Sequence, residues 1–185
     1  MKKSSIAEII RNRRTIHQFQ ADRLPPREEI LKAIEHSTWA PNHFTTEPWK
    51  YYLIGDKTSD QICLLNAKLV SDKRGEKAAQ IKLKRWRDIP GWLLLTTTRS
   101  DDEVRNRENY AACCCAAQNF MLYCWSKEIG VKWTTGEVTC SEAFYTLLGI
   151  DPLHESVVGL FWYGYPKEVP NMARKPLEQI VVEVP

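Results

Sequence analysis

The first group of residues that could carry chemistry lies within five positions near the start of the chain: Arg13, Arg14, Thr15 and His17. Guanidinium groups form forked, charge-assisted hydrogen bonds to phosphate oxygens, and a hydroxyl group adds a neutral donor. Each such bond contributes roughly 1.5–3 kcal/mol, so three of them could hold a phosphorylated ligand without covalent attachment. The alternative is a basic helix end that complements the helix dipole and is otherwise solvated.

A second group lies in residues 39–49, where aromatic, amide, hydroxyl and carboxyl side chains surround two prolines. The segment includes Trp39, His43 and Glu47. Rigid loops beside strands often build binding sites. The alternative is a tight connection that places Trp49 in the core.

Two later segments could contribute to the same site. Residues 130–136 are rich in threonine and end in glycine, so an extended backbone there could present N–H groups to the edge of a flat ligand. Arg174 and Lys175 could reach a phosphate from the other end of the chain. The alternatives are an ordinary strand with its turn, and an exposed basic arm.

The elements that must position these residues are helices and strands that are interleaved but do not alternate strictly. Capping residues and hydrophobic spacing predict helices over about 5–13, 26–37, 59–70, 76–87, 102–128 and 141–148, with Gly130 capping the fifth. Strands are predicted over about 49–54, 91–98, 131–135, 156–164 and 179–184. The 91–98 segment is nearly all apolar or threonine, which predicts a central, buried strand. This order favours an α/β or α+β sandwich over a doubly wound nucleotide fold, and no glycine-rich nucleotide motif is present.

Length and composition indicate the number of domains and the class of protein. The 185 residues, with 43% hydrophobic and 26% charged side chains, predict one globular domain over residues 1–185. No apolar run is long enough to span a membrane, and residues 1–5 lack the apolar stretch of a secretory signal, which predicts a cytoplasmic protein. The basic residues are dispersed and almost balanced by acids, so a nucleic-acid-binding module is disfavoured despite the pI of about 8.5.

The six cysteines form no C-x-x-C pair, which favours a reducing compartment over a disulfide framework. Residues 113–115 are three successive cysteines, and neighbours on a helix point about 100° apart, so they cannot bind one metal ion together. Small packing residues are the preferred interpretation, and no metal site is expected.

The four segments, in this order, resemble the FMN-dependent nitroreductases, especially their minimal single-domain members. The family's R-R-S-x-R-x-F corresponds to residues 13–19 here, and its A-P-[SD]-x-x-x-x-Q-P-W to residues 40–49. A long helix followed by a glycine matches Gly130 onward. A G-x-P turn and a P-L-E-x-[IV] tail match residues 164–166 and 176–180. The resemblance covers about residues 5–184.

The resemblance implies a nitroreductase-like α+β fold, in which a central, mostly antiparallel sheet is flanked by helices. It also implies an intertwined homodimer in which the C-terminal strand, near residues 180–184, joins the sheet of the partner. The long helix with its run of small residues would lie in the dimer interface.

The resemblance further implies which residues bind FMN. Arg13, Arg14 and Thr15 would hold the phosphate and ribityl chain, and His17 would replace the family's usual third arginine, with Arg174 or Lys175 compensating. Trp39 and His43 would approach the flavin from the other subunit. The residues implied to line the isoalloxazine ring are Trp133, Thr134, Thr135 and Gly136.

Glu47 departs from the family pattern because glutamine is usual at this position. A carboxylate beside the ring would disfavour negative charge on the reduced cofactor. The expectation is therefore that Glu47 faces elsewhere or forms a salt bridge, for example to Arg14.

The function implied is an NAD(P)H-dependent FMN oxidoreductase. NADH or NADPH would pass a hydride to flavin N5, and a nitroaromatic, quinone or similar small acceptor would take it in a second, ping-pong step. The chemistry would belong to the cofactor, so no catalytic side chain is expected. The alternative is a flavin-binding protein with little turnover, such as a flavin store, a sensor or a flavin-degrading relative.

Overall fold

The computed structural model describes residues 5–184, and a four-stranded sheet forms its centre. The strands are β1 (Trp49–Ile54), β2 (Gly91–Thr98), β3 (Gly130–Thr134) and β4 (Glu155–Gly164). Their spatial order is β1-β2-β4-β3, and every neighbouring pair is antiparallel. Residues 92–95 of β2 are fully covered, which confirms the prediction of a central, buried strand.

Six helices pack around this sheet. They are α1 (Ile6–Asn12), α2 (Arg27–Ser37), α3 (Asp56–Arg74), α4 (Glu76–Arg87), α5 (Glu103–Ser126) and α6 (Glu142–Leu148). Side-chain caps set several starts: Ser5 and Glu8 form a reciprocal capping box on α1, and Asp102 accepts from two backbone N–H groups of α5. Gly149 adopts a left-handed conformation and ends α6, as the sequence predicted.

The sheet separates two hydrophobic cores. One face packs against α3, α4 and α6, and three tryptophans (Trp86, Trp92 and Trp162) meet there with ring centroids 4.9–5.7 Å apart. The other face packs against α2 and α5, with Phe120 and Phe161 in edge contact. Mixed helices around an antiparallel sheet confirm the predicted α+β class.

The chain between α1 and α2 extends the sheet beyond β3. Thr15 forms a parallel bridge with Val131, and the Ile16 N–H donates to the Val131 carbonyl at 3.2 Å. A Cβ atom on Gly130 would lie 2.5 Å from Cγ1 of Ile16 and 2.9 Å from Pro166. Gly130 therefore lets residues 13–17 lie closely against the edge of β3.

The predicted C-terminal end of α5 was wrong. α5 ends at Ser126. Glu128, with φ of 61°, makes the left-handed turn that the sequence predicts at Gly130. Gly130 is instead the first residue of β3. The predicted strand over 179–184 does not form within this chain: residues 177–179 make a 3₁₀ turn, and the valines that follow are exposed and pair with no strand. The outer edge of β1 pairs with no strand among residues 5–184, and the joining of this tail to the sheet of a partner stays a prediction.

Helix α3 is longer than predicted because it begins directly after Gly55 and continues to Gly75, whose φ of 81° separates it from α4. Within residues 5–184 no helix combines the length and apolar character needed to cross a bilayer. The expectation about an N-terminal signal concerns mainly residues 1–4, which lie outside the described residues.

The Glu155 carboxylate links three strands and provides a test of the sheet. It accepts hydrogen bonds of 2.7 Å from Lys50 Nζ, Tyr52 Oη and Thr96 Oγ1. Burial by itself would raise the pKa of Glu155, but the hydrogen bonds from Lys50, Thr96 and Tyr52 outweigh it and lower the pKa.

Glu155→Gln is expected to lower the free energy of unfolding at pH 7 by about 1–3 kcal/mol in urea titrations. Because the folded-state pKa is lowered, this contribution exists above the unfolded pKa of about 4.3 and is lost as pH falls through the folded-state pKa. The difference between the two proteins should therefore shrink in acid. Glu168→Gln, at an exposed carboxylate, is the matched control, and equal effects of both substitutions would contradict the assignment.

Candidate functional site

The Arg13 side chain is the centre of the candidate site. It follows α1 directly and is half-buried, and burial together with the charges of Arg174 and Arg14 lowers its pKa. No ion pair or side-chain hydrogen bond joins its guanidinium to an acid within residues 5–184. A half-buried cation beside a second cation, without a counter-ion, is suited to bind an anion. The structure thus brings Arg13 and Arg174 together from opposite ends of the chain.

Arg14 plays a different part from Arg13. Its Nη1 donates to the carbonyl of Arg11 at 2.7 Å and to that of Arg13 at 2.9 Å, so it binds carbonyl groups left free at the end of α1. The proposed salt bridge to Glu47 is not formed in the described chain. Arg14 can therefore shape the site by fixing the end of the helix, with its remaining N–H groups free for a ligand.

Thr15 and His17 are both exposed and follow Arg13 along the extended segment. Alternate residues of an extended chain share a side, and the four steps from Arg13 to His17 span about 13 Å. Burial and the charges of Lys132 and Arg85 lower the pKa of His17, so the imidazole is neutral near pH 7. His17 consequently does not replace the permanent charge of an arginine.

Sequence reasoning missed three cations in this region. The charges of Lys132 on β3 and of Arg85 on α4 act on His17. Lys82, also on α4, acts on Lys132. The sequence held a weak signal for them. Lys82 and Arg85 have the i, i+3 spacing of one helix face, and Lys132 alternates with Val131 and Trp133 along a strand.

The residues around Trp133 divide between the two faces of β3. The Trp133 ring packs 5.3 Å from that of Phe161, and its Nε1 donates to the Val158 carbonyl at 3.1 Å, on the side of α5. Lys132 and Thr134 point to the opposite side. Thr135 and Gly136 follow the strand and are exposed. The structure therefore leaves Thr134, Thr135 and Gly136 accessible to a ligand. Trp133 packs against Phe161 on the other face of the sheet.

The loop before β1 has an unusual backbone. Phe44, Thr45 and Glu47 have φ of 53°, 48° and 43°, in the left-handed region that non-glycine residues seldom adopt. Such conformations persist when surrounding contacts enforce them and are often found at binding sites. Trp39 is 81% exposed at the start of this loop, and His43 is exposed with its ring 4.0 Å from that of Phe44.

The loop is anchored to α5 and away from the cations. Thr46 Oγ1 donates to Asn109 Oδ1 at 3.2 Å, and the Glu47 N–H donates to Asn42 Oδ1 at 3.0 Å. The loop leads into β1, whereas Arg13 and His17 lie beyond β3, at the other edge of the sheet. Four strand spacings, about 19 Å, separate the two edges. One chain therefore does not bring Trp39, His43 and Glu47 to the cations at residues 13–17.

The cysteine run divides as expected for a helix surface. Cys113 is buried, Cys114 is half-buried and Cys115 is exposed. Within residues 5–184 no group of three potential ligands is arranged to hold a metal ion. Burial raises the pKa of Cys113 to about 11, which keeps this thiol protonated and unreactive near neutral pH.

Comparisons with known proteins bear on the family and the fold of the chain. The model of the family described as the nitroreductase family matches residues 10–165. YfhC of Bacillus subtilis (strain 168), named as a candidate NAD(P)H nitroreductase, is 27% identical over 176 residues, covering 93% of this chain and 90% of YfhC. A nitroreductase-like family protein from Bacillus cereus superposes with a TM-score of 0.86 at 26% identity, covering 100% and 98% of the two chains. A candidate nitroreductase from Desulfovibrio desulfuricans, solved in complex with FMN, gives a TM-score of 0.76 at 23% identity, covering 100% and 99%.

The close approach at Gly130 predicts how residues 13–17 are held. Gly130→Ala should push Ile16 away from β3 and lower the free energy of unfolding by about 1–3 kcal/mol, as overpacking commonly does. The Ile16 amide should also exchange faster with deuterium. Gly55→Ala is the matched control because a Cβ there meets nothing within 4 Å. Unchanged protection of Ile16 in Gly130→Ala would show that the contact does not hold the segment.

Proposed function

The chain belongs to the nitroreductase family, and we propose that it is an FMN-dependent oxidoreductase that uses NADH or NADPH to reduce nitroaromatics, quinones or similar small acceptors. The family match over most of the chain and the NAD(P)H nitroreductase name of the Bacillus relative support this activity. We further propose that residues 1–185 act as one domain in the cytoplasm.

The observation that carries the proposal is the half-buried guanidinium of Arg13, which lies beside Arg174 and has no acidic partner within residues 5–184. A phosphate monoester carries up to two negative charges and accepts forked hydrogen bonds, which two guanidinium groups can donate. Thr15, exposed on the same extended segment, adds a hydroxyl donor. These residues fit the phosphorylated tail of FMN and would hold that end of the cofactor.

FMN, when bound, accepts and donates the hydride, so the chain needs to supply no nucleophile. Its residues would bind and orient the cofactor. Arg13, Thr15 and Arg174 would hold the tail, and Thr134, Thr135 and Gly136 would face the ring edge. Arg14 would keep the end of α1 in place.

We propose a homodimer because a single chain leaves the site incomplete. Trp39 and His43 belong to an exposed, strained loop at the far edge of the sheet, and a second copy could bring that loop to the cations of the first. The tail offers a means of attachment: Val181, Val182 and Val184 are exposed and belong to no strand of the sheet among residues 5–184. A strand added by this tail to the partner's sheet would cover them.

Arg13→Glu is expected to yield a folded protein that lacks FMN, because charge reversal repels the phosphate. Flavin absorbance per polypeptide and circular dichroism measure the two properties. Arg11→Glu, a reversal two residues away on the exposed face of α1, should keep the cofactor. An Arg13→Glu protein that binds FMN as well as the Arg11→Glu control would refute the phosphate assignment.

Turnover separates the proposed enzyme from a flavin store or sensor. Purified protein should oxidise NADH or NADPH continuously when a quinone is present, and initial rates at varied donor and acceptor should give parallel double-reciprocal lines. This pattern is expected when donor and acceptor use the same open site in turn. A yellow protein that a donor reduces only once, with no continued turnover, would support the flavin-store alternative.

A further inference from the structure

Phe44 exposes its ring on the loop before β1. It is 73% exposed, whereas the other phenylalanines of the chain are buried. Its backbone has φ of 53° and ψ of 24°, a left-handed conformation that costs free energy for a residue with a Cβ atom. An exposed apolar ring on a strained backbone contributes little to the folding of a single chain. Strained residues that the surrounding structure holds in place are often found where a ligand is contacted.

Hydrogen bonds around Phe44 hold this conformation. The Thr46 N–H donates to the His43 carbonyl at 3.4 Å, and Thr46 Oγ1 donates to Asn109 Oδ1 at 3.2 Å. Asn109 is buried on α5, and its Nδ2 donates to the Thr98 carbonyl at 3.3 Å, at the end of β2. The loop is thus fixed to both α5 and the sheet, and Phe44 cannot relax without breaking these contacts.

Two neighbouring side chains position the Phe44 ring itself. The guanidinium carbon of Arg105 lies 5.3 Å from the ring centre, in a cation–π contact. Arg105 precedes Asn109 by one turn on the same face of α5. The centre of the His43 ring lies 4.0 Å away, with the two rings inclined at 63°. The Phe44 ring is therefore held in place while most of its surface stays accessible.

The Phe44 ring cannot reach the cofactor site of its own chain, because the loop before β1 and residues 13–17 lie at opposite edges of the sheet. In the proposed homodimer, Trp39 and His43 come to the cofactor site of the partner. Phe44 follows His43 directly and contacts its ring. The same approach therefore brings Phe44 to the partner's cofactor.

The chemistry of the Phe44 side chain favours one kind of occupant. The ring presents an apolar face and has no hydrogen-bonding group, so it favours another flat ring in an offset or edge-to-face arrangement. The proposed ping-pong reaction leaves one side of the flavin open to diffusing molecules. A nitroaromatic or quinone that enters there has a flat ring to offer, whereas an aliphatic molecule does not.

We propose that Phe44 of one protomer stacks on the ring of the acceptor that is bound at the partner's cofactor. Phe44 thereby selects flat aromatic and quinoid acceptors over puckered or aliphatic molecules of equal size. This inference rests on the proposed function and its homodimer, since it assigns a specificity-determining residue to that site. Phe44 binds and orients the acceptor and takes no part in bond formation.

Two substitutions separate the ring from the bulk of the side chain. Phe44→Leu removes the ring and keeps an apolar group, whereas Phe44→Tyr keeps the ring. Neither replacement is β-branched, so the strain at this backbone position changes little. Leu153→Ala is the control, because Leu153 is 80% exposed on the turn before β4 and takes part in none of the loop contacts. All proteins are compared as FMN-loaded holoprotein, with flavin content and molar mass measured for each.

The first arm measures binding to the oxidised holoprotein without any donor. Perturbation of the flavin absorbance reports the dissociation constants of nitrobenzene and of nitrocyclohexane. Both molecules are neutral and carry the same nitro group, but only nitrobenzene is flat.

The second arm uses a hybrid dimer of one Arg13→Glu protomer and one Phe44→Leu protomer, purified through two different affinity tags. The phosphate assignment leaves this hybrid with one FMN site. That site has Arg13 from the Phe44→Leu protomer and an intact Phe44 from the Arg13→Glu protomer. The same two nitro compounds are titrated against it.

Wild-type protein is expected to bind nitrobenzene more tightly than nitrocyclohexane. Phe44→Leu should lose about three- to tenfold of that preference, which corresponds to the loss of one aromatic pair. Phe44→Tyr and Leu153→Ala should keep the preference. The hybrid dimer should also keep it, because its FMN site receives Phe44 from the other protomer.

Several results would overturn the proposal. Unchanged preference in Phe44→Leu, with FMN retained, removes the role of the ring and leaves the proposed function standing. Loss of FMN or of the dimer in Phe44→Leu also overturns it, because the ring would then serve the cofactor or the interface. A hybrid dimer that behaves like Phe44→Leu contradicts the placement of Phe44 at the partner's site. Wild-type protein that binds no FMN would instead contradict the proposed function.

Discussion

An unpaired guanidinium, held half-buried at the edge of a sheet, is the interaction on which the proposed site depends. Arg13 has no acidic partner in the described chain and lies near a second arginine, Arg174. Folding alone leaves this charge without a counter-ion. An anionic ligand would compensate the charge and offset the cost of its partial burial. The phosphate of FMN fits that requirement, and the family of the chain makes FMN the expected ligand.

The placement of Arg13 follows from backbone packing more than from local preference. α1 ends one residue earlier, Arg14 binds the carbonyl groups at that end, and residues 15–16 then lie along β3. Gly130 permits this close approach because it has no side chain to meet Ile16. The same edge of β3 carries Lys132, so the extended segment and the strand together form a path lined by positive charge.

Much of the fold and part of the candidate site could be predicted from the sequence. β1 and β2 begin and end where the spacing of apolar residues placed them, and Ser5, Asp102, Ser141 and Gly149 act as helix caps through short-range hydrogen bonds that depend on neighbours in the sequence. Family resemblance brought Arg13 and Arg174 into one site although 160 intervening residues separate them. Gly130 shows what could not be predicted. A residue without a Cβ atom is required there because Ile16 and Pro166 lie against it, and both are distant in sequence.

The cations on α4 could not be found in this way. Lys82 and Arg85 look like ordinary residues of a solvated helix face, and only the fold turns that face toward Lys132 and two buried tryptophans. The C-terminal valines have strand-forming character, yet they join no strand of the sheet among residues 5–184. Local sequence specifies such a preference, whereas strand formation also needs a second strand to pair with.

The most direct test of phosphate binding by Arg13 and Arg174 compares FMN with riboflavin, which has the same ring and ribityl chain without the phosphate. Calorimetric titration of the cofactor-free protein gives both affinities. Two charge-assisted hydrogen bonds from Arg13 and Arg174 predict that FMN binds about 100-fold more tightly or better, with a preference that weakens as salt increases. Equal affinities for the two flavins would contradict the account at its foundation.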